Sequence, residues 1–249
     1  MPSAIVNFLK GVAAPFQALP LLFKPGIRTY AFLPLCLTIF VLSSATYFLS
    51  STIDSTLAMI VPNWPGWINS VVSWAISSLI SIWASFFLLG FINFLSCPFN
   101  SLLSLKVLAH LSRSPERKND ATTLLIEVRG SVSALKAEVK KVFYYLKFAA
   151  VILLVSLIPG INIFSPLLWI VFGAWMLTIE YLDYPFSNDH VIFPESLKTM
   201  ACQKSTCLGF GLAITLIALI PVVNWLTVAI GVVGATVLYR NNFNTNELS

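Results

Sequence analysis

Residues 24–29 form a short segment, KPGIRT, whose residue types could bind an anion. Proline and glycine both interrupt regular structure, so this segment predicts a turn from which Gly26 to Thr29 opens the next helix. A helix start offers unpaired backbone N–H groups and the positive end of the helix dipole. Gly26 allows close backbone approach, Arg28 adds a planar guanidinium and Thr29 adds a hydroxyl, so we predict an oxyanion site at Gly26, Ile27, Arg28 and Thr29. The local sequence leaves one alternative open, an ordinary basic membrane anchor in which Arg28 reaches lipid headgroups.

Other reactive residue types give little indication of catalysis. The two histidines, His110 and His190, lie in separate polar segments, and the sequence contains no HExxH, GxSxG or Walker-type motif. Cys202 and Cys207 are five residues apart with no histidine beside them to complete a zinc-ligand set. We therefore predict that the protein is not an enzyme and uses no cofactor or metal.

The composition shows what kind of protein must hold the predicted anion site. Only 10% of the 249 residues are charged, 57% are hydrophobic, and the mean hydropathy is +0.85. A soluble domain of this length cannot bury so much apolar surface, and a disordered chain would contain less of it. The protein is therefore predicted to be an integral membrane protein. Nine basic and four acidic residues in 106–147 account for the entire net charge of +5.

The first hundred residues contain two stretches long enough to span a bilayer. Residues 30–53 carry no charge and number about 24, against roughly 20 for one span. Residues 68–97 form a second stretch, which Pro98-Phe99-Asn100 is predicted to interrupt. Before them, residues 3–23 predict an interfacial helix broken by Pro15 and Pro20.

The charged central segment predicts an amphipathic helix over residues 124–147. One face is apolar, and another carries a basic stripe. The stripe consists of Arg129, Lys136, Lys140 and Lys147. It is either a solvated face beside anionic lipid or a wall that attracts anions. Glu180 is predicted to pair with a basic residue of this segment, for instance Arg129 or Lys140.

Two apolar blocks near the C-terminus are each divided by proline. Residues 148–158 and 161–179 flank Pro159-Gly160, and residues 208–220 precede Pro221. The first of these pieces reaches about 16 Å as a helix, half of a bilayer. Residues 157–162 and 219–224 also resemble each other, and paired interrupted segments are typical of transport sites. We therefore predict two re-entrant helical hairpins.

The distribution of Lys and Arg predicts the orientation. Lys10, Lys24 and Arg28 precede the first span, residues 54–67 contain no Lys or Arg, and the basic segment follows the second span. Both termini and the central segment are therefore predicted to be cytoplasmic.

Residues 174–188, AWMLTIEYLDYPFSN, resemble the AWMLxIxYxDYPFxN signature of the bacterial sulfate permease CysZ family. Residues 25–28 (PGIR) followed by 32–35 (FLPL) resemble its PG(L/I)RR–LPL segment, and 97–103 (CPFNSLL) resemble its APFNGLL segment. The resemblance extends over roughly residues 8 to 240, and its long central motif is highly specific.

The resemblance implies entry of sulfate into the cytoplasm for cysteine synthesis, with sulfate bound at Gly26, Ile27 and Arg28. It also implies a membrane homo-oligomer with two long spanning helices and two hairpins that half-penetrate the bilayer. Two residues depart from the family pattern. Thr29 stands where the family often has a second arginine, and Leu105 stands where it tends to have a glutamate.

We therefore expect an all-α integral membrane protein of the bacterial inner membrane that acts as a sulfate permease. A single membrane domain is predicted, divided at 1–29, 30–97, 98–147, 148–182, 183–207, 208–240 and 241–249. Asn93, Asn100, Asn162 and Asn224 are candidate donors along the pathway. The expected partners are sulfate, membrane lipid and further copies of the chain, without nucleic acid. The alternative is a scaffold or regulator that binds anionic lipid or a partner protein through the basic helix.

Overall fold

The computed structural model describes residues 2–60, 65–112 and 121–243. Side chains are described for these residues except 2, 46, 49–60, 89–95, 97–98, 112, 121–135 and 222. Every regular element in the described residues is helical, which confirms the all-α prediction. The elements are α1 (Pro2–Leu22), α2 (Arg28–Ile60), α3 (Gly66–Ser112), α4 (Ala121–Ser156), a short 3-10 helix (Ile161–Phe164), α5 (Ser165–Asn188), α6 (Glu195–Cys202), α7 (Lys204–Ala218) and α8 (Pro221–Asn242).

The chain forms two compact units. One contains Met1–Ala31 with Asn100–Ser249, and the other contains Phe32–Phe99. The 24–29 segment therefore belongs to the same unit as α4 to α8.

Several helices are long and apolar enough to cross a membrane. Among the described residues these stretches are Ser3–Leu22, Arg28–Ala45, Gly66–Leu88, Ile161–Asn188 and Val223–Asn242. Helices α6 and α7 meet at a bend of 100°, and taken together they are also long and apolar enough to cross a membrane. Phe40, Trp74 and Phe86 are all largely exposed, as expected for side chains that face lipid. The protein is a multi-pass membrane protein.

Two predicted interruptions are wrong, because the helices continue through their prolines. Helix α1 runs unbroken through Pro15 and Pro20, and α3 runs unbroken through Pro98. A proline removes one helical hydrogen bond, but an apolar surrounding offers the backbone no other partner and so favours keeping the rest of the helix.

The apolar stretch 148–158 is also not a separate short helix, since α4 reaches Ser156 from Ala121. Its apolar end therefore continues the amphipathic segment directly.

The breaks predicted in the two C-terminal blocks are confirmed. Between α4 and α5, Gly160 has a φ of +86°, a conformation that glycine adopts without strain. Between α7 and α8, Pro221 is the first residue of the new helix, where its missing N–H costs nothing. How deeply either hairpin enters the bilayer stays a prediction.

Helices α1 and α7 are in backbone contact through glycines. A Cβ atom on Gly11 would collide with the carbonyl oxygen of Thr206, and one on Gly209 would collide with that of Phe8. Small residues at a helix crossing let membrane helices approach closely and gain van der Waals contact. This packing holds α1 in place, and α1 leads directly into the 24–29 segment.

We expect Gly209→Ala to destabilise the protein by about 3 kcal/mol or more, because neither helix backbone can yield without a shift of the whole crossing. Thermal unfolding of the full-length protein in detergent measures the effect. Gly173→Ala is the matched control, since nothing lies within 4 Å of a Cβ at Gly173. Equal stability of the two variants would contradict the close crossing.

Candidate anion-binding site

The 24–29 loop is a tight turn that connects α1 to α2. Gly26 has a φ of +89°, which a residue with a side chain rarely adopts. The turn is closed by the Lys24 carbonyl, which accepts hydrogen bonds from the N–H groups of Ile27 and Arg28, each at 3.1 Å. The Ile27 side chain is only 2% exposed and anchors the loop in the apolar interior. The predicted helix start at this position is confirmed, because α2 begins at Arg28.

Several donors on the loop remain available to a ligand. Thr29 and Tyr30 lie in the first turn of α2, where a backbone N–H has no carbonyl partner within the helix. Among the described residues, neither N–H donates to a carbonyl of the preceding turn either. The side chains of Arg28 and Thr29 are exposed, and no other atom lies within 4 Å of the position of a Cβ on Gly26. Arg28 also has no acidic partner in the part of the chain that the structure describes. The amides of Ile27 and Arg28 are already occupied, so an anion would bind the following two.

The structure brings His110 to the loop, in contact with the Lys24 side chain, which the sequence did not predict. The Lys24 Nζ atom lies 2.8 Å from Nε2 of His110, which is near the C-terminal end of α3 in the same compact unit. An ammonium has donors and no acceptor, so Lys24 is the donor of this hydrogen bond to the His110 ring. No sequence signal joins residues 86 positions apart.

The loop therefore gathers basic side chains without a carboxylate. The loop contains Lys24 and Arg28, and His110 contacts Lys24. None of the three has an acidic partner among the described residues. Such a group produces a positive local potential that a dianion would reduce. The geometry is suited to holding an oxyanion between charged side chains and helix-start amides.

Of the candidate pathway asparagines, one makes a buried contact and two are exposed among the described side chains. Asn100 is 5% exposed, and its amide donates to the Tyr184 hydroxyl at 3.2 Å. Asn162 and Asn224 are exposed and come after the two hairpin breaks. The side chain of Asn93 lies outside the described residues.

Asn100 belongs to a polar layer between the end of α3, α5 and α8. Ser101 donates to Asn188 at 3.0 Å, and the hydroxyls of Ser104 and Thr236 are 2.9 Å apart. Polar contacts between otherwise apolar helices are costly to break and mark either structural ties or a transport path. The polar layer ties the PFN segment to the YPFxN segment that the sequence analysis singled out.

The buried Lys141 side chain is the centre of an ion-pair cluster between α4 and α5, whose carboxylates are partly exposed. The Lys141 side chain is 3% exposed, and its Nζ atom lies 2.8 Å from both Glu138 and Asp183 and 3.8 Å from Glu180. Burial acts to lower the pKa of this ammonium, but the carboxylates of Asp183 and Glu180 outweigh it and raise the pKa. Lys141 therefore stays charged throughout the physiological range.

The predicted pairing of Glu180 with the basic segment is confirmed, but the partner residue differs from the two that were named. The structure pairs Glu180 with Lys141, whereas Lys140 is exposed. Adjacent residues on a helix point about 100° apart, so only one of the two can face α5. Arg129, the other candidate, has its side chain outside the described residues. Lys136, Lys140 and Lys147 are exposed, as the basic stripe requires.

Comparison with known proteins decides the family. The family described as "Sulfate transporter CysZ/Etoposide-induced protein 2.4" matches residues 14–229. The chain belongs to this family. A Vibrio cholerae protein named Sulfate transporter CysZ is 34% identical over 227 residues, which cover 90% of each chain. A Pectobacterium atrosepticum protein of the same name is 32% identical over 238 residues, covering 94% of this chain and 85% of that protein.

Membership of the CysZ family confirms the resemblance read from residues 174–188. The matched region contains the 24–29 loop, the Lys141 cluster and all of the polar layer except Thr236.

Proposed function

We propose that this protein is a sulfate permease that moves sulfate across the bacterial inner membrane into the cytoplasm, where sulfate supplies cysteine biosynthesis. The names of its relatives support the substrate. The observation that carries the proposal is the 24–29 loop, where the exposed Lys24 and Arg28 adjoin helix-start amides and have no acidic partner among the described residues. Transport of this kind requires binding and release and no catalytic step.

Sulfate would bind where its charge and shape match the donors. Its tetrahedral oxygens can accept paired hydrogen bonds from Arg28 and single ones from the amides of Thr29 and Tyr30. Thr29 replaces an arginine that the family often has, so one cation is missing from the usual pattern. The Lys24 ammonium, positioned by His110, supplies a second positive charge at the same loop.

Bound sulfate would leave the loop along polar groups of the membrane region. The polar layer around Asn100 is the buried set of donors nearest in the chain to His110. We propose that further copies of the chain enclose the path, with the exposed apolar side chains of α2 and α3 divided between partner and lipid.

The scaffold alternative is supported by the exposed basic stripe, which would bind anionic lipid without any transport. Uptake of sulfate into liposomes distinguishes the permease from the scaffold. Full-length protein in liposomes should take up radiolabelled sulfate down its gradient, with protein-free liposomes as the control. Chloride and phosphate competition in the same assay reports selectivity. Uptake equal to that of empty liposomes would reject the permease function and favour the scaffold.

We expect Lys24→Gln to weaken sulfate binding about tenfold, because a charged hydrogen bond to an anion is worth about 1.5 kcal/mol or more. Isothermal titration of the full-length protein with sulfate measures this loss. Lys198→Gln is the matched control, an exposed lysine on α6 that receives the same change. If both variants bind sulfate as tightly as the parent protein, Lys24 takes no part in the site.

A further inference from the structure

A groove between α1 and α8 has a lining unlike any surface used above. Its cavity of about 510 Å³ lies in the compact unit that contains Met1–Ala31 and Asn100–Ser249, and no residue of the 24–29 loop lines it. Such a volume is typical of pockets for organic ligands and exceeds what a bare oxyanion needs. We call it the α1–α8 groove, and its lining residues include Val6, Leu9, Lys10, Gln17, Leu238 and Asn241.

One side of the α1–α8 groove is polar and positively charged. Lys10 and Gln17 are seven residues apart, so they lie on the same face of α1, two turns from each other. Asn241 faces them from the end of α8. Lys10 is exposed and has no acidic partner among the described residues. An unpaired ammonium beside two carboxamides presents hydrogen-bond donors to a phosphate group.

The wall behind these donors is held in place by a pair of reciprocal hydrogen bonds. The Asn242 amide donates to the Gln203 side chain at 2.9 Å, and the Gln203 amide donates to the Asn242 carbonyl at 2.8 Å. Helix α8 is thereby fixed to the turn between α6 and α7. The groove is accordingly pre-formed at its polar end.

The other side of the α1–α8 groove is apolar and open. Val6 and Leu9 are 50% and 57% exposed, and they lie about one turn or less from Lys10 on a helix apolar enough to enter a membrane. A free anion would make no use of such a surface. An amphiphile would cover it with an acyl chain while its charged end reaches Lys10.

We propose that the α1–α8 groove binds an anionic phospholipid. The phosphate accepts hydrogen bonds from Lys10, Gln17 and Asn241, and an acyl chain lies along Val6 and Leu9. The net negative charge of the lipid matches Lys10, which has no acidic partner among the described residues. The lipid thereby ties the N-terminal helix to the C-terminal one.

Native mass spectrometry of the full-length protein in detergent tests the proposal with phosphatidylglycerol as the probe. Phosphatidylcholine, which has no net charge, and glycerol 3-phosphate, which has no acyl chain, form the comparison arms. We expect retention of phosphatidylglycerol alone, and an approximately fivefold loss of affinity in Lys10→Gln, the effect of one lysine near an anionic lipid. Lys198→Gln, a change at an exposed lysine on α6, should leave retention unchanged.

Three results would overturn the lipid site. The first is equal retention of phosphatidylcholine, and the second is equal binding of glycerol 3-phosphate. The third is an affinity of Lys10→Gln for phosphatidylglycerol equal to that of the parent protein and of Lys10→Arg. Because the assay measures lipid and not sulfate, its outcome is independent of whether the protein transports sulfate.

Discussion

Replacement of Arg28 by glutamine is expected to reduce sulfate uptake by tenfold to a hundredfold. A bidentate guanidinium–oxyanion contact combines two charge-assisted hydrogen bonds, each worth about 1.5–3 kcal/mol. Glutamine keeps a polar side chain but removes the charge and one of the paired donors. Initial uptake of radiolabelled sulfate into proteoliposomes, at matched protein density, measures the loss.

The Arg28 variant should remain folded, which makes the result interpretable. Arg28 is exposed and has no acidic partner in the described chain, so its removal breaks no structural contact. Arg28→Lys retains the charge without the planar fork and should show an intermediate rate. Lys136→Gln, on the exposed basic stripe, controls for a general loss of positive charge. Uptake by Arg28→Gln at the parental rate would remove the 24–29 loop from the transport mechanism.

Replacement of Lys141 by methionine is expected to destabilise the protein by about 3–5 kcal/mol. The change removes the only cation within 4.0 Å of Asp183 among the described residues and leaves that half-buried carboxylate without compensation. Thermal unfolding of the full-length protein in detergent should show a large decrease in the midpoint, together with poor yield.

Lys140→Met is the matched control, because Lys140 is the neighbouring residue on α4 and is exposed. It should unfold at nearly the parental temperature. The double variant Lys141→Met/Asp183→Leu should recover much of the loss, since an apolar pair can replace a buried ion pair without penalty. A single Lys141→Met variant as stable as Lys140→Met would show that the cluster contributes nothing to folding.

Some features of the 24–29 loop could be predicted from its residues alone. Pro25 and Gly26 predict the turn, and Arg28 predicts the charge, because these are local properties of the chain. Whether Ile27 offers its amide to a ligand was not predictable. That amide is occupied by the Lys24 carbonyl, a contact that depends on the turn geometry.

The prolines show where local rules fail. Pro159-Gly160 and Pro221 end helices, as predicted, whereas Pro15, Pro20 and Pro98 lie within continuous ones. The residue type is the same, and the difference arises from the surroundings. Gly234 of α8 packs against Pro15, since a Cβ atom on Gly234 would lie 3.1 Å from the Pro15 Cα atom. Tertiary packing therefore supports α1 at this proline.

By itself, the sequence determined that this is an all-helical membrane protein of the CysZ family, with a basic turn ahead of its first long helix. Those properties follow from composition, hydrophobic periodicity and short motifs, all of which act over neighbouring residues. Only the tertiary structure decided that His110 meets Lys24, that Lys141 rather than Lys140 pairs with Glu180, and that α1 and α8 enclose a groove. Such contacts join residues far apart in the chain, and a shift of one residue in helix register would replace each partner with a different side chain.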